Sequence, residues 1–160
     1  MVKINIKNNN SGFVILYAVM LSSILLAIAI GVADISLKEI KFGTSAKETN
    51  EAFFAADTAA ECALYYDRSA PENNAFTGTA AATMTCAGDT PTITPSGTPP
   101  NYWSFSLIGL GESGQGCAKV TVDKSALPKT KIISKGYNNG VGSNCTPGSN
   151  TVERELELTY

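Results

Sequence analysis

Residues 11–33 read SGFVILYAVMLSSILLAIAIGVA, and from Phe13 to Ala33 the run holds 21 residues with no charged side chain. A helix rises ~1.5 Å per residue, so this run is long enough to cross a hydrocarbon core of ~30 Å. Residues 1–12 ahead of it are polar, with Lys3 and Lys7 as their only charged side chains. The positive-inside rule then predicts a cytoplasmic N-terminus and places everything beyond Asp34 outside. A cleaved secretory signal has a shorter apolar core and ends in a small-residue A-x-A site. Here Ala33 is followed by Asp34-Ile35-Ser36-Leu37-Lys38-Glu39, which continues as helix. A plain signal anchor also fits the run.

Outward from this stretch, no proline interrupts residues 34–67. Phe42, Ala46, Phe53, Ala56, Ala60, Ala63 and Leu64 recur at three- and four-residue steps, which predicts one amphipathic face packed on the chain's own head. Residues 68–101 turn to Thr, Ala, Pro and Gly, and Pro71, Pro91, Pro95, Pro99 and Pro100 predict a loop region with one short element around residues 75–85. Strands are expected over residues 102–110, 117–123, 130–137 and 152–160. The last is the cleanest, with Val152, Leu156, Leu158 and Tyr160 on one face and Glu153, Glu155 and Glu157 on the other. Lys131 and Lys135 are expected across from that acidic row. The predicted fold is α+β: a long N-terminal helix, membrane-spanning in its first half, packed on a C-terminal antiparallel sheet of about four strands.

The chain of 160 residues is 44% apolar with a net charge of −2, so a single head plus an anchor accounts for its size. Its 12 Lys and Arg are scattered, which gives no footprint for nucleic acid. It has no His, hence no common general base or metal ligand of that kind, and no cofactor is expected. Cys62, Cys86, Cys117 and Cys145 form no Cys-x-x-Cys pair. Behind a membrane segment an even number fits two disulfides in an oxidising compartment, with three connectivities open. Proximity favours Cys62–Cys86, at the helix end and the close of the wrap that leaves it, and Cys117–Cys145, at a strand start and the loop returning beside it.

The junction Ser11-Gly12-Phe13, a basic polar leader meeting an apolar helix directly, resembles the class III signal of type IV prepilins. That resemblance implies cleavage after Gly12 by a prepilin peptidase and N-methylation of Phe13, with the anchor retained. Most of that family carries Glu at the fifth position after the cut, where this chain has Tyr17. The Glu neutralises a neighbour's N-terminal amine inside the filament, and a tip subunit has no such neighbour above it. Tyr17 therefore favours a minor or tip subunit over a major pilin. The helix end Glu51–Tyr66 and the tail from Lys135-Gly136-Tyr137-Asn138 to the final strand resemble PilX-like minor pilins.

The resemblance divides the chain into a leader (1–12), a transmembrane and filament-core helix (13–33), its amphipathic continuation (34–67), the loop region (68–101) and the sheet head (102–160). It implies a structural subunit, not an enzyme, acting in filament assembly initiation, tip formation or adhesion. The implied partners are prepilin peptidase, other pilin subunits through the N-terminal helix, the inner-membrane assembly platform and the membrane. The competing reading is a non-polymerising, membrane-anchored binding module, with Tyr102 and Trp103 as candidate contacts. A tethered enzyme is disfavoured, because neither clustered carboxylates nor a nucleophile motif is present.

Overall fold

The computed structural model describes residues 11–69 and 74–160; the polar leader's first ten residues, with Lys3 and Lys7, and Pro71 lie outside them. The chain forms two compact units, Met1–Thr44 and Ser45–Tyr160. Helix α1, Ser11–Arg68, contributes to both.

Within the first unit every large apolar side chain from Phe13 to Phe42 stands exposed, between 44% and 78%. The helix needs no tertiary support to satisfy its polar atoms. Ser22 Oγ donates to Ala18 O at 2.8 Å and Ser23 Oγ to Met20 O at 2.8 Å, so both hydroxyls of the apolar run bond back into their own helix. Thr44 does the same towards Ile40 and Lys41.

In the second unit, the remainder of α1 packs on a six-stranded antiparallel sheet of order β1-β2-β3-β4-β5-β8. The strands are β1 (Ala82–Thr83), β2 (Thr92–Gly97), β3 (Pro100–Leu110), β4 (Gly116–Asp123), β5 (Lys131–Tyr137) and β8 (Glu153–Thr159). A separate ribbon pairs β6 (Gly140–Val141) with β7 (Thr146–Pro147). Six strands replace the expected four because the proline-rich region contributes two. Pro95 sits within β2, which has β1 on one side only over Thr92–Ile93, so the missing N–H is tolerated near an edge.

Alternation decides the two sheet faces. Trp103, Phe105, Leu107, Val120, Val122 and Ile132 are buried and join Phe76, Met84 and Ile93 in the core. From α1 that core takes Ala55, Ala59 and Ala63, while Ala52, Ala56 and Ala60 are also buried. The expected stripe is corrected here. Ala56, Ala60 and Ala63 are buried, but Ala46, Phe42 and Phe53 are exposed, Phe53 by 41%.

For Phe53 the reason lies on β5, whose inward positions shrink from Ile132 to Ser134 to Gly136. A methyl group at Gly136 would collide with Ala52 O and Ala56 N and lie 2.9 Å from Ala56 Cα. Ser134 Oγ donates to Ala56 O at 2.7 Å. Helix backbone and sheet thus approach so closely that only alanine fits between them, and a phenylalanine must point elsewhere.

Candidate functional site

The sequence singles out three groups of residues: the junction at Gly12, Phe13 and Tyr17, the four cysteines, and the aromatic pair Tyr102-Trp103. The first group lies on α1, which already includes Ser11 and Gly12. Phe13 is 78% exposed and Tyr17 55%, one turn apart on the same helix. Around them the helix offers aliphatic side chains on every side and a shallow indentation lined by Ile15, Ala18, Val19, Ser22, Ser23 and Leu26. By length and composition this is the one helix among the described residues able to cross a membrane.

All four cysteines are bonded, Cys62 to Cys86 and Cys117 to Cys145, with Cα–Cα distances of 6.1 and 5.7 Å. The first bridge ties the segment before β2 to α1. It is reinforced by Tyr66, whose hydroxyl donates to Thr85 O at 3.0 Å and accepts from Thr85 N at 3.2 Å. The second closes a small cluster with Tyr137. Gly140 lies against Cys117 Sγ so closely that no side chain fits there. Cys145 itself adopts φ 49°, held by its bridge and by its N–H donating to Gly142 O at 3.1 Å. Both bridges pin loops, and no thiol is free among the described residues.

Of the aromatic pair, Trp103 is not a contact residue. It is 5% exposed, and its Nε1 donates to Gly78 O at 3.2 Å. Tyr102 points to the opposite sheet face and is 41% exposed.

A cluster that periodicity does not reveal closes the end of α1. Asp67 Oδ1 meets the Lys124 ammonium, and Oδ2 accepts the Tyr160 hydroxyl at 2.7 Å. Lys124 also donates to Phe76 O at 3.1 Å, and the Arg68 guanidinium lies 5.0 Å from the Tyr160 ring centroid. Burial first, and then the bond to the Asp67 carboxylate, push the Tyr160 phenol far above its usual range. The ion pair is 6% and 15% exposed at its two side chains, so desolvation consumes much of its Coulomb energy. Its three partners come from α1, the turn after β4 and the residue after β8, which makes it a clasp of the head. No sequence signal marks it, because Asp67 and Lys124 are 57 residues apart and obey no shared period.

On the outer sheet face, Lys135 bonds Glu155 at 3.1 Å and Glu153 at 3.3 Å, and Lys131 bonds Glu157 at 2.8 Å. These expected pairs are exposed and screened, which limits their contribution to stability. Compared with models of protein families, with curated proteins and with solved structures, the chain matches none of them.

Proposed function

We propose that this chain is a non-enzymatic structural subunit of a type IV pilus-type filament, a minor pilin or pseudopilin acting in assembly initiation, tip formation or adhesion. The observation that carries this reading is the Gly12-Phe13 junction opening directly onto a helical stretch, residues 13–42, whose large apolar side chains are all exposed. Exposed apolar side chains on all sides of a helix require a nonaqueous surrounding. Lipid provides it before assembly, with the N-terminus inside and the head outside. Helices of other subunits provide it afterwards, in a cell-surface or periplasmic filament. Cleavage by prepilin peptidase at Gly12 leaves that helix intact and makes Phe13 the new, methylated terminus.

Tyr17 supports a minor rather than a bulk role. A phenol cannot neutralise a neighbouring amine in an apolar filament core, as a carboxylate does. A subunit bearing it suits a place where no amine lies opposite. The back-bonded hydroxyls of Ser22 and Ser23 suit the same surroundings, since neither brings an unsatisfied polar group into lipid or a filament core.

Mild shearing of cells, followed by immunodetection of this chain in the released filaments, tests the reading. Recovery in the filament fraction is expected. Complete retention with the membrane would instead favour the anchored binding module.

A further inference from the structure

The outer face of β2, β3 and β4 carries a cleft of about 610 Å³ that no part of the proposed assembly role uses. Its floor is hydroxyl-rich: Thr92 and Thr94 on β2, Ser104 and Ser106 on β3, and Thr121 on β4, with Lys119 among them. Register sets these in cross-strand rows, Thr94–Ser104–Thr121 and Ser106–Lys119. Adjacent strands lie ~4.8 Å apart, so each row offers groups at roughly the spacing across one pyranose ring. A hydroxyl donates and accepts at once, the pattern that sugar hydroxyls require.

Charge narrows the choice. Beyond Lys119 in its row comes Lys135, but Glu153 and Glu155 hold that ammonium. Among the described residues Lys119 makes no ion pair. The cleft's one carboxylate, Asp89, is already engaged by backbone N–H groups, Thr90 N on Oδ1 at 2.7 Å and Ile108 N on Oδ2 at 3.2 Å. The cleft therefore presents one cation with no bonded partner, Lys119, and one carboxylate, Asp89, each of whose oxygens already accepts a backbone N–H, among neutral hydroxyls. Asn144 in its lining adds an amide; Tyr102, outside the lining but 41% exposed on the same side of β3 as Ser104, lies next along that strand.

We infer that this cleft binds an acidic oligosaccharide, with Lys119 receiving a uronate carboxylate and the Thr and Ser rows receiving ring hydroxyls. This goes beyond the filament reading and does not depend on it, because the head presents the cleft whether or not the chain polymerises.

The test is calorimetric titration of the full chain in polyoxyethylene detergent micelles with a hyaluronan tetrasaccharide, with neutral cellotetraose and with inorganic phosphate. Saturable binding of the acidic sugar is expected, about tenfold or more weakened by Lys119→Gln and by use of the neutral sugar. Thr94→Val should weaken it as well, while Lys131→Gln, outside the cleft, should leave it unchanged. Far-UV circular dichroism confirms that each variant is folded. Absence of binding, equal binding by Lys119→Gln, an equal response to cellotetraose, or displacement by phosphate at matching concentration would each overturn the proposal. None of these outcomes bears on whether the chain enters filaments.

Discussion

The two parts of α1 solve opposite problems with the same backbone. In residues 13–42 every large apolar side chain is exposed. In residues 52–63 the inward side chains are alanines, and all six of them are buried. Hydrophobicity alone ranks the first part as the better core, yet it is the second whose inward side chains are buried. Burial here follows fit. A helix that must lie against Ser134 and Gly136 uses methyl groups, whereas the stretch long and apolar enough to cross a membrane carries large side chains, all exposed.

The comparison breaks most severely at Gly136. Gly136→Ala places a methyl inside the helix backbone at Ala52 and Ala56, and a loss of about 3 kcal/mol or more is expected. Chemical denaturation of the full chain in micelles, followed by Trp103 fluorescence, reports it.

A paired substitution sharpens the contrast between the parts. Ala56→Leu overpacks the helix–sheet seam and should cost about 1–3 kcal/mol of head stability. Leu25→Ala makes the same change of apolar volume in the opposite sense, but at a side chain that is 67% exposed, so head stability should stay within about 0.5 kcal/mol. Equal effects in the two variants would remove the distinction.

That distinction was only half legible in the sequence. The apolar run announces itself by composition, and the strands after residue 100 by alternation. Ala56, Ala60 and Ala63 were also visible as a stripe. The exposure of Phe53 was not, because periodicity marks a face without saying how near the opposing surface comes. That nearness is set by Ser134 and Gly136, some 80 residues later in the chain. β1 and β2 were hidden for a different reason, since a strand near a sheet edge tolerates the prolines that usually argue against strand. In the site, the junction residues and cysteine pairs could be read locally. The Asp67–Lys124–Tyr160 clasp could not, because three distant segments build it.

Smaller effects probe the seam and the clasp. Ser134→Ala removes the donor to Ala56 O, which still serves the helix, so a cost of about 1 kcal/mol is expected in the same denaturation assay. At Tyr160 the folded protein keeps a proton that the unfolded chain releases above about pH 10. The stability this group contributes is therefore full below about pH 10 and falls as pH rises further. Tyr160→Phe should make Tm decline less steeply between about pH 9.5 and 11 than in the unaltered protein. Lys131 and Lys135, raised chiefly by their bonds to Glu157 and Glu155, titrate in both proteins and leave the difference intact.

The claim that the first part of α1 is made to leave the bilayer with its subunit rests on where the chain is cut. Intact-mass and N-terminal fragment spectrometry of the protein purified from its native membrane measures this directly. The account predicts a chain beginning at Phe13 with one added methyl group on its amine. An intact Met1, or a chain beginning after Ala33, would contradict it.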